Sequence, residues 1–359
     1  MVIYWLLFTF FAVGAIATRI DRQAAYAGAQ EARGAPHVPA KALFVLGAIG
    51  MICLIGLRYR VGGDWYTYGL MFKDVARTTL TSAVRNGDPA YQAVSWLAHA
   101  AGYQIWMVNL VCGAIFAWGL FKFCSVQPSP WLAVAIAVPY MVIVVAMGYT
   151  RQSVALGILM AGLAKQARGA GTLNFAIYVA CAAMFHKTAA VAFPLVALSA
   201  RGNRFINLLI VLSTSVVLYD FFLSESMDDY VHAYLDTEYS SQGALVRVAM
   251  SVVAAIVLWT FRGRLGFSEQ ERKLWRNFAF AAVAALIMLA IGPSSTAVDR
   301  ISIYLMPLQI AVLTRFALVG RNRLAGTATV LAYTCAIQFV WLNFAQFASY
   351  WVPYQFFPL

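Results

Sequence analysis

Ala42-Leu43-Phe44-Val45-Leu46-Gly47-Ala48-Ile49-Gly50-Met51-Ile52-Cys53-Leu54-Ile55-Gly56-Leu57 runs for sixteen residues without a charge, and Arg58-Tyr59-Arg60-Val61-Gly62-Gly63-Asp64-Trp65-Tyr66-Thr67-Tyr68 follows it directly. The first part reads as a helix in hydrocarbon. The second reads as the point where the chain emerges, because arginines, a carboxylate and aromatic rings suit a membrane edge. Similar uncharged runs recur from one end of the chain to the other.

Composition gives the same class. Of 359 residues, 62% are hydrophobic and 11% charged, with a mean hydropathy of +0.73, whereas a soluble domain carries about 25% charged residues. The expected fold is an all-α integral membrane bundle, one domain over residues 1–359. Predominantly apolar runs at 2–18, 42–57, 103–121, 131–149, 152–164, 171–186, 188–200, 205–222, 244–261, 277–292, 301–319 and 324–347 give about twelve candidate spans. Those at 152–164, 171–186 and 188–200 are short, and are expected as tilted, broken or re-entrant helices facing protein. The first run lacks a small-residue cleavage site and reads as a retained helix.

Orientation follows from the basic residues, which concentrate on the cytoplasmic face. One set of alternate loops carries 17 of the 26 basic residues and four of the 14 acidic ones, net +13, and the other set nets −1. The first face is therefore placed in the cytoplasm and both termini outside. The net charge of +12 is then topogenic and calls for no nucleic-acid partner. The five cysteines show no CxxC spacing, which argues against a metal cage or a disulfide framework. They read as small buried apolar residues.

Two segments outside the spans are informative. Residues 58–102 form an external amphipathic segment in which Trp65, Tyr68, Phe72 and Val75 fall on one helical stripe. A second short helix is signalled by Asp88-Pro89, an N-cap followed by proline at the first helical position, and carries Tyr91, Val94 and Trp96. Residues 220–243 form an external acidic loop, either a solvated connection or a lip that contacts a polar ligand. Ser268-Glu269-Gln270-Glu271 reads as a capping box at the start of a span.

Five external cations lie within a residue or two of a span end: Arg58, Arg60, Arg151, Lys187 and Arg300, with His186 beside Lys187. Arg151 and Arg300 are placed at helix N-termini, where the macrodipole disfavours a cation by a few tenths to about 1 kcal/mol. Singly, such residues snorkel to lipid phosphates or pair with nearby carboxylates such as Asp64 and Asp299. As a set they point to an anion, and a phosphate or diphosphate on a lipid is the one expected at this depth. Arg58, Arg60, Arg151 and Arg300 are thus candidate diphosphate-binding residues, expected to converge. His186 titrates near neutral pH and is the first candidate for a general base or a leaving-group contact, with Asp64 the second.

In order along the chain, Arg58-x3-Gly62-x-Asp64, Asp88-Pro89-x-Tyr91, Arg151-Gln152-x2-Ala155, Phe185-His186-Lys187-Thr188, Asp299-Arg300-x3-Tyr304 and Tyr350-Trp351-Val352-Pro353-Tyr354 resemble the EpsG family of Wzy-type polysaccharide polymerases over roughly residues 50 to 354. The resemblance implies a metal-independent membrane glycosyltransferase of the GT-C kind that needs no cofactor. It would take sugar repeats on undecaprenyl diphosphate, with membrane lipid around it and a chain-length regulator as a candidate partner. Tyr68, Tyr91, Tyr304 and Asp299 are then expected to contact acceptor or glycan. The competing readings are an O-antigen ligase and a flippase or transporter for lipid-linked oligosaccharide. A transporter would place cations along a mid-membrane path, and the spans read as almost free of interior charge.

Overall fold

The computed structural model describes residues 1–27, 38–199, 212, 243–291 and 295–357, and among them the regular structure is helical. Helices α1 (Val2–Ala27) and α2 (Val38–Gly56) precede three short helices, α3 (Trp65–Val75), α4 (Leu80–Arg85) and α5 (Pro89–Ala100). Then come α6 (Ile105–Ser125), α7 (Pro130–Ala137), α8 (Thr150–Gln166), α9 (Thr172–Ala183) and α10 (Ala192–Ala197). The rest are α11 (Ala244–Thr260), α12 (Glu269–Ile291), α13 (Ser295–Ser302), α14 (Pro307–Phe316) and α15 (Arg323–Phe344).

Among the described residues, α6, α12 and α15 are long and apolar enough to cross a membrane alone. The pair α13–α14, bent by 47° at the break between Leu305 and Pro307, makes a fourth. Six further apolar helices are shorter, including α9, α11 and the stretch Lys187–Ala197. The protein is a membrane-embedded helical bundle, but the expected twelve crossings do not follow from helix length. The expected span at 205–222, apart from helical Leu212, and the acidic loop at 220–243, apart from Gly243, lie outside the described residues.

The bundle is centred on α8, which is buried along nearly its whole length. A helix enclosed by protein has its polar groups satisfied by neighbours and need not present a long lipid-facing run. Its tightest partner is α6. A Cβ at Gly119 would stand 1.8 Å from the Gly157 carbonyl oxygen, and one at Gly157 would stand 2.6 Å from Phe116 Cα. In a bilayer, where the hydrophobic effect does not drive helix association, such small-residue contacts let backbones approach and gain dispersion energy. Beside them α7 continues as a π-helix over Val138–Ala146, fully buried, with Pro139 near its start removing one backbone donor.

The C-terminal tail fixes one end of this bundle. Trp351 is buried, its indole N–H donates to the Ile143 carbonyl at 2.7 Å, and its own carbonyl accepts from the Tyr4 hydroxyl at 2.7 Å. The tail also pairs with the segment quoted first: Tyr59 N–H donates to Gln355 O at 2.8 Å, Phe357 N–H to Leu57 O at 2.7 Å and Gly62 N–H to Tyr350 O at 2.9 Å. Gly62 has φ of +107°, and a Cβ there would meet the Met147 carbonyl oxygen at 2.1 Å, so only glycine fits. Both termini therefore lie at the same end as Arg58–Asp64.

The amphipathic segment folds much as its pattern suggests. Tyr68 and Val75 are buried, while Trp65 and Phe72 are half-buried. Helix α4 was not signalled by the pattern; Thr79 caps it, its hydroxyl accepting from Ser82 N–H at 3.3 Å. The capping box forms, with Ser268 N–H donating to Glu271 Oε2 at 2.9 Å and Glu271 N–H to Ser268 Oγ at 3.2 Å. Among the cysteines, Cys112 and Cys124 are buried, but Cys181 is exposed on α9, so burial of all five does not hold.

Candidate functional site

Asp88 occupies the N-cap position of α5 but makes no capping hydrogen bond. Its carboxylate instead reaches Arg151, the second residue of α8, at 2.7 Å. The same oxygen lies 3.7 Å from His186 Nδ1, beyond hydrogen-bond distance, and neither ring nitrogen of His186 has a hydrogen-bond partner among the described residues. His186 is buried and sits in the non-helical link between α9 and the 3-10 turn Lys187–Val191. Tyr68 of α3 closes the group from the other side: the Arg151 guanidinium lies 5.8 Å from its ring centre, and its hydroxyl accepts from Arg151 N–H at 3.4 Å. A cation at a helix N-terminus is thereby matched by one carboxylate and one aromatic face.

Arg300 approaches the same place from α13. Its guanidinium stacks over Tyr149, the N-cap of α8, at 5.4 Å, and its backbone carbonyl accepts from the Gln152 side chain. Because α13 begins at Ser295, Arg300 falls in its last turn, where the dipole favours a cation, so the expected N-terminal penalty applies to Arg151 alone. Arg247, in the first turn of α11, also faces Tyr149 at 5.4 Å and stacks on Tyr140 of the π-helix at 5.1 Å. Its guanidinium lies 3.0 Å from Asp299, outside good hydrogen-bond geometry. Asp299 is buried in this contact. Tyr304 is buried as well, and its hydroxyl lies 3.2 Å from Thr188 Oγ1.

Asp64 joins the group electrostatically. Loss of hydration raises its pKa, against the pull of Arg300 and Arg151. His186 is shifted down, first by burial and further by Arg151 and Arg300, with Asp88 acting in the opposite sense. Its imidazole is therefore neutral at pH 7 and able to accept a proton. Burial raises the pKa of Tyr68 and Tyr91 and keeps both as neutral phenols; their rings lie 5.6 Å apart. Among the described residues, no group of three or more His, Cys, Asp or Glu side chains is arranged to hold a metal ion.

Two of the four candidate arginines stand elsewhere. Arg58 is buried inside protein: it donates to the Ile55 carbonyl at the end of α2, to Asn109 Oδ1 at 3.2 Å and to Thr150 Oγ1 at 2.7 Å. It ties α2, α6 and α8 together directly behind Arg151. Arg60 is exposed, with a positive φ of 52° and its guanidinium 5.1 Å from the Tyr59 ring centre. It lines a separate groove of about 540 Å³ with Tyr59, Trp65, Tyr66 and Lys73. Convergence of all four arginines, expected from their common position at span ends, is thus replaced by a pair, Arg151 and Arg300. Sequence spacing places residues along the membrane normal but not around the bundle.

Asp88, Tyr149 and Arg247 are the residues that sequence reasoning left out of the site. The Asp88 signal was present but read as a cap, because an N-cap aspartate and an ion-pairing aspartate look alike before a proline. Arg247 is one of the basic residues of the less basic face, and its burial in the first turn of α11 brings it to the site.

The fold and site define a class: a membrane-embedded helical bundle whose arginines, carboxylates and one neutral histidine meet where several helices end. The chain belongs to the EpsG family, whose model matches residues 41–356. No curated protein and no solved structure matches it. Membership in this family implies a polysaccharide-polymerase-type role.

Proposed function

We propose that the protein polymerises lipid-linked oligosaccharide repeats on the outer face of a bacterial inner membrane, as a metal-independent glycosyltransferase of the GT-C kind. The donor is a repeat on undecaprenyl diphosphate and the acceptor is the end of another lipid-linked glycan. The observation that carries this reading is the meeting of Arg151, Arg300, Asp64, Asp88 and His186 at one end of the bundle. An anionic leaving group needs cations, and a hydroxyl nucleophile needs a base.

In this reading the acceptor hydroxyl loses its proton to His186 as its oxygen bonds to the anomeric carbon, and the bond from that carbon to the diphosphate oxygen breaks. Negative charge grows on the departing diphosphate. Arg151 and Arg300 stabilise it, and they do so more in the transition state than in the bound substrate. Asp88 positions Arg151 and favours the imidazolium that forms on His186. Asp64 is the alternative base, with its proton affinity already increased. Tyr68, Tyr91 and Tyr304 border the place where acceptor or glycan would lie. Asp299, engaged with Arg247, acts through that arginine.

The test is a reaction of purified protein in detergent with a lipid-linked repeat, without nucleotide sugar or added metal, resolved on a gel. A ladder of products is expected, lost in Arg151→Ala and Arg300→Ala. A protein that binds the repeat but forms no ladder in any membrane mimic would refute the proposal.

A further inference from the structure

A groove of about 490 Å³ runs along α15 opposite the π-helix and the start of α11, lined by Tyr140, Gly243, Tyr333, Ile337, Val340 and Phe344 among others. Val340 and Phe344 are exposed, so the groove opens toward the membrane. From Tyr333 to Phe344 it follows eleven helical steps, a depth of roughly 16 Å, about half of a hydrocarbon core. Among the described residues, no lining residue is charged.

One end of this apolar groove is not apolar. A Cβ at Gly243 would lie 3.4 Å from the Tyr140 hydroxyl and 3.9 Å from Arg247 Nη2. Arg247 donates to that same hydroxyl at 3.4 Å, and its buried Nε has no hydrogen-bond partner among the described residues. From Arg247 the aromatic face of Tyr149 leads to Arg300, each guanidinium 5.4 Å from the ring centre. The wall at this junction is the π-helix, a wound-out form that is rare and frequently found at functional sites. Apolar length in the membrane, ending beside cations at its edge, fits an amphiphile with a long tail and an anionic head.

We infer that this groove holds the hydrocarbon tail of a polyprenyl diphosphate-linked glycan whose diphosphate lies toward Arg300. The inference rests on the proposed reading of the Arg151–Arg300 site and adds the direction from which its substrate enters, between α11 and α15. Tail recognition here is apolar contact made equally in ground and transition states, so it bears on KM more than on kcat.

The experiment fills the groove from its exposed rim with Ala336→Trp and Val340→Trp, and compares Phe339→Trp, an exposed α15 position that does not line it. Each protein is given the same repeat on a full-length polyprenyl diphosphate and on a ten-carbon prenyl diphosphate. The expected result is a KM rise of about tenfold for the long-tailed substrate in the two groove variants, no change with the short tail, and no change in Phe339→Trp. Equal effects on both substrates, or on neither, overturn the inference while polymerisation by the unaltered protein keeps the functional reading. If the unaltered protein polymerises neither substrate, the functional reading falls. The groove is then decided by photocrosslinking of a polyprenyl diphosphate with a diazirine in its tail: label concentrated on α11 and α15 supports it, and label spread over the lipid-facing helices overturns it.

Discussion

Replacing Arg58 separates two roles that the sequence leaves joined, anion binding and architecture. In the fold its guanidinium serves three acceptors, Ile55 O, Asn109 Oδ1 and Thr150 Oγ1, and it is 1% exposed. Arg58→Met keeps much of the volume but leaves Asn109 and Thr150 facing an apolar chain. An unsatisfied buried polar group costs about 1–3 kcal/mol, so the two together give roughly 2–6 kcal/mol. The lower half is favoured because burying the unpaired charge of Arg58 is itself unfavourable. Thermal unfolding of the detergent-solubilised protein should show a lowered midpoint for Arg58→Met, a smaller drop for Arg58→Lys, and none for the exposed Arg60→Met. A double-mutant cycle of Arg58→Met with Thr150→Val should be strongly non-additive, because each removes the same bond. If Arg58→Met unfolds at the unaltered midpoint but no longer binds a lipid diphosphate, the architectural role is wrong and Arg58 belongs with Arg151 after all.

Arg151→Lys and Arg300→Lys should each lower kcat by about 100-fold in the ladder assay, since an ammonium cannot serve two phosphate oxygens as a guanidinium does; full activity in both Arg300→Lys and Arg300→Ala would return that residue to an incidental role. The downward shift of His186 predicts that the acid limb of the rate profile lies below the ordinary histidine range, because protonation of the base begins only at lower pH, and Asp88→Asn should move it lower still by removing the carboxylate that favours the imidazolium. If His186→Ala keeps turnover while folded Asp64→Asn abolishes it, the base is Asp64, whose limb should lie above the ordinary aspartate range. Gly119→Ala should push α6 from α8 and reduce stability by about 1–3 kcal/mol, read as loss of monodisperse protein on size exclusion; an unaltered profile and unfolding midpoint would show that the close approach is not needed.

Much of the site was legible because polar groups at the ends of apolar runs need an explanation. Arg151, Arg300 and His186 each stand out by being charged or titratable within a residue or two of a hydrophobic segment, Asp64 stands out in the polar stretch that follows Leu57, and the fold does bring them toward one another. Asp88 was equally visible but carried a second meaning, and only the position of α5 against α8 chose between them. Arg58 and Arg60 are two residues apart and were indistinguishable in the sequence. Gly62 and the pairing of the C-terminal tail with residues 57–59 turn one inward, to Asn109 and Thr150, and the other out to a separate groove.

By itself, then, the sequence determined the solvent and the depth. Uncharged runs require hydrocarbon around them, and the break from Leu57 to Arg58 marks where hydrocarbon ends, because a charge facing lipid is costly on whichever side of the bundle it falls. Position around the bundle was decided only by tertiary structure. The Gly119–Gly157 approach of α6 to α8, the bend between α13 and α14 and the tail locked by Trp351 all depend on contacts between residues far apart in the chain. Charge at a membrane edge carries no such information, since any side of a helix meets the interface at the same height.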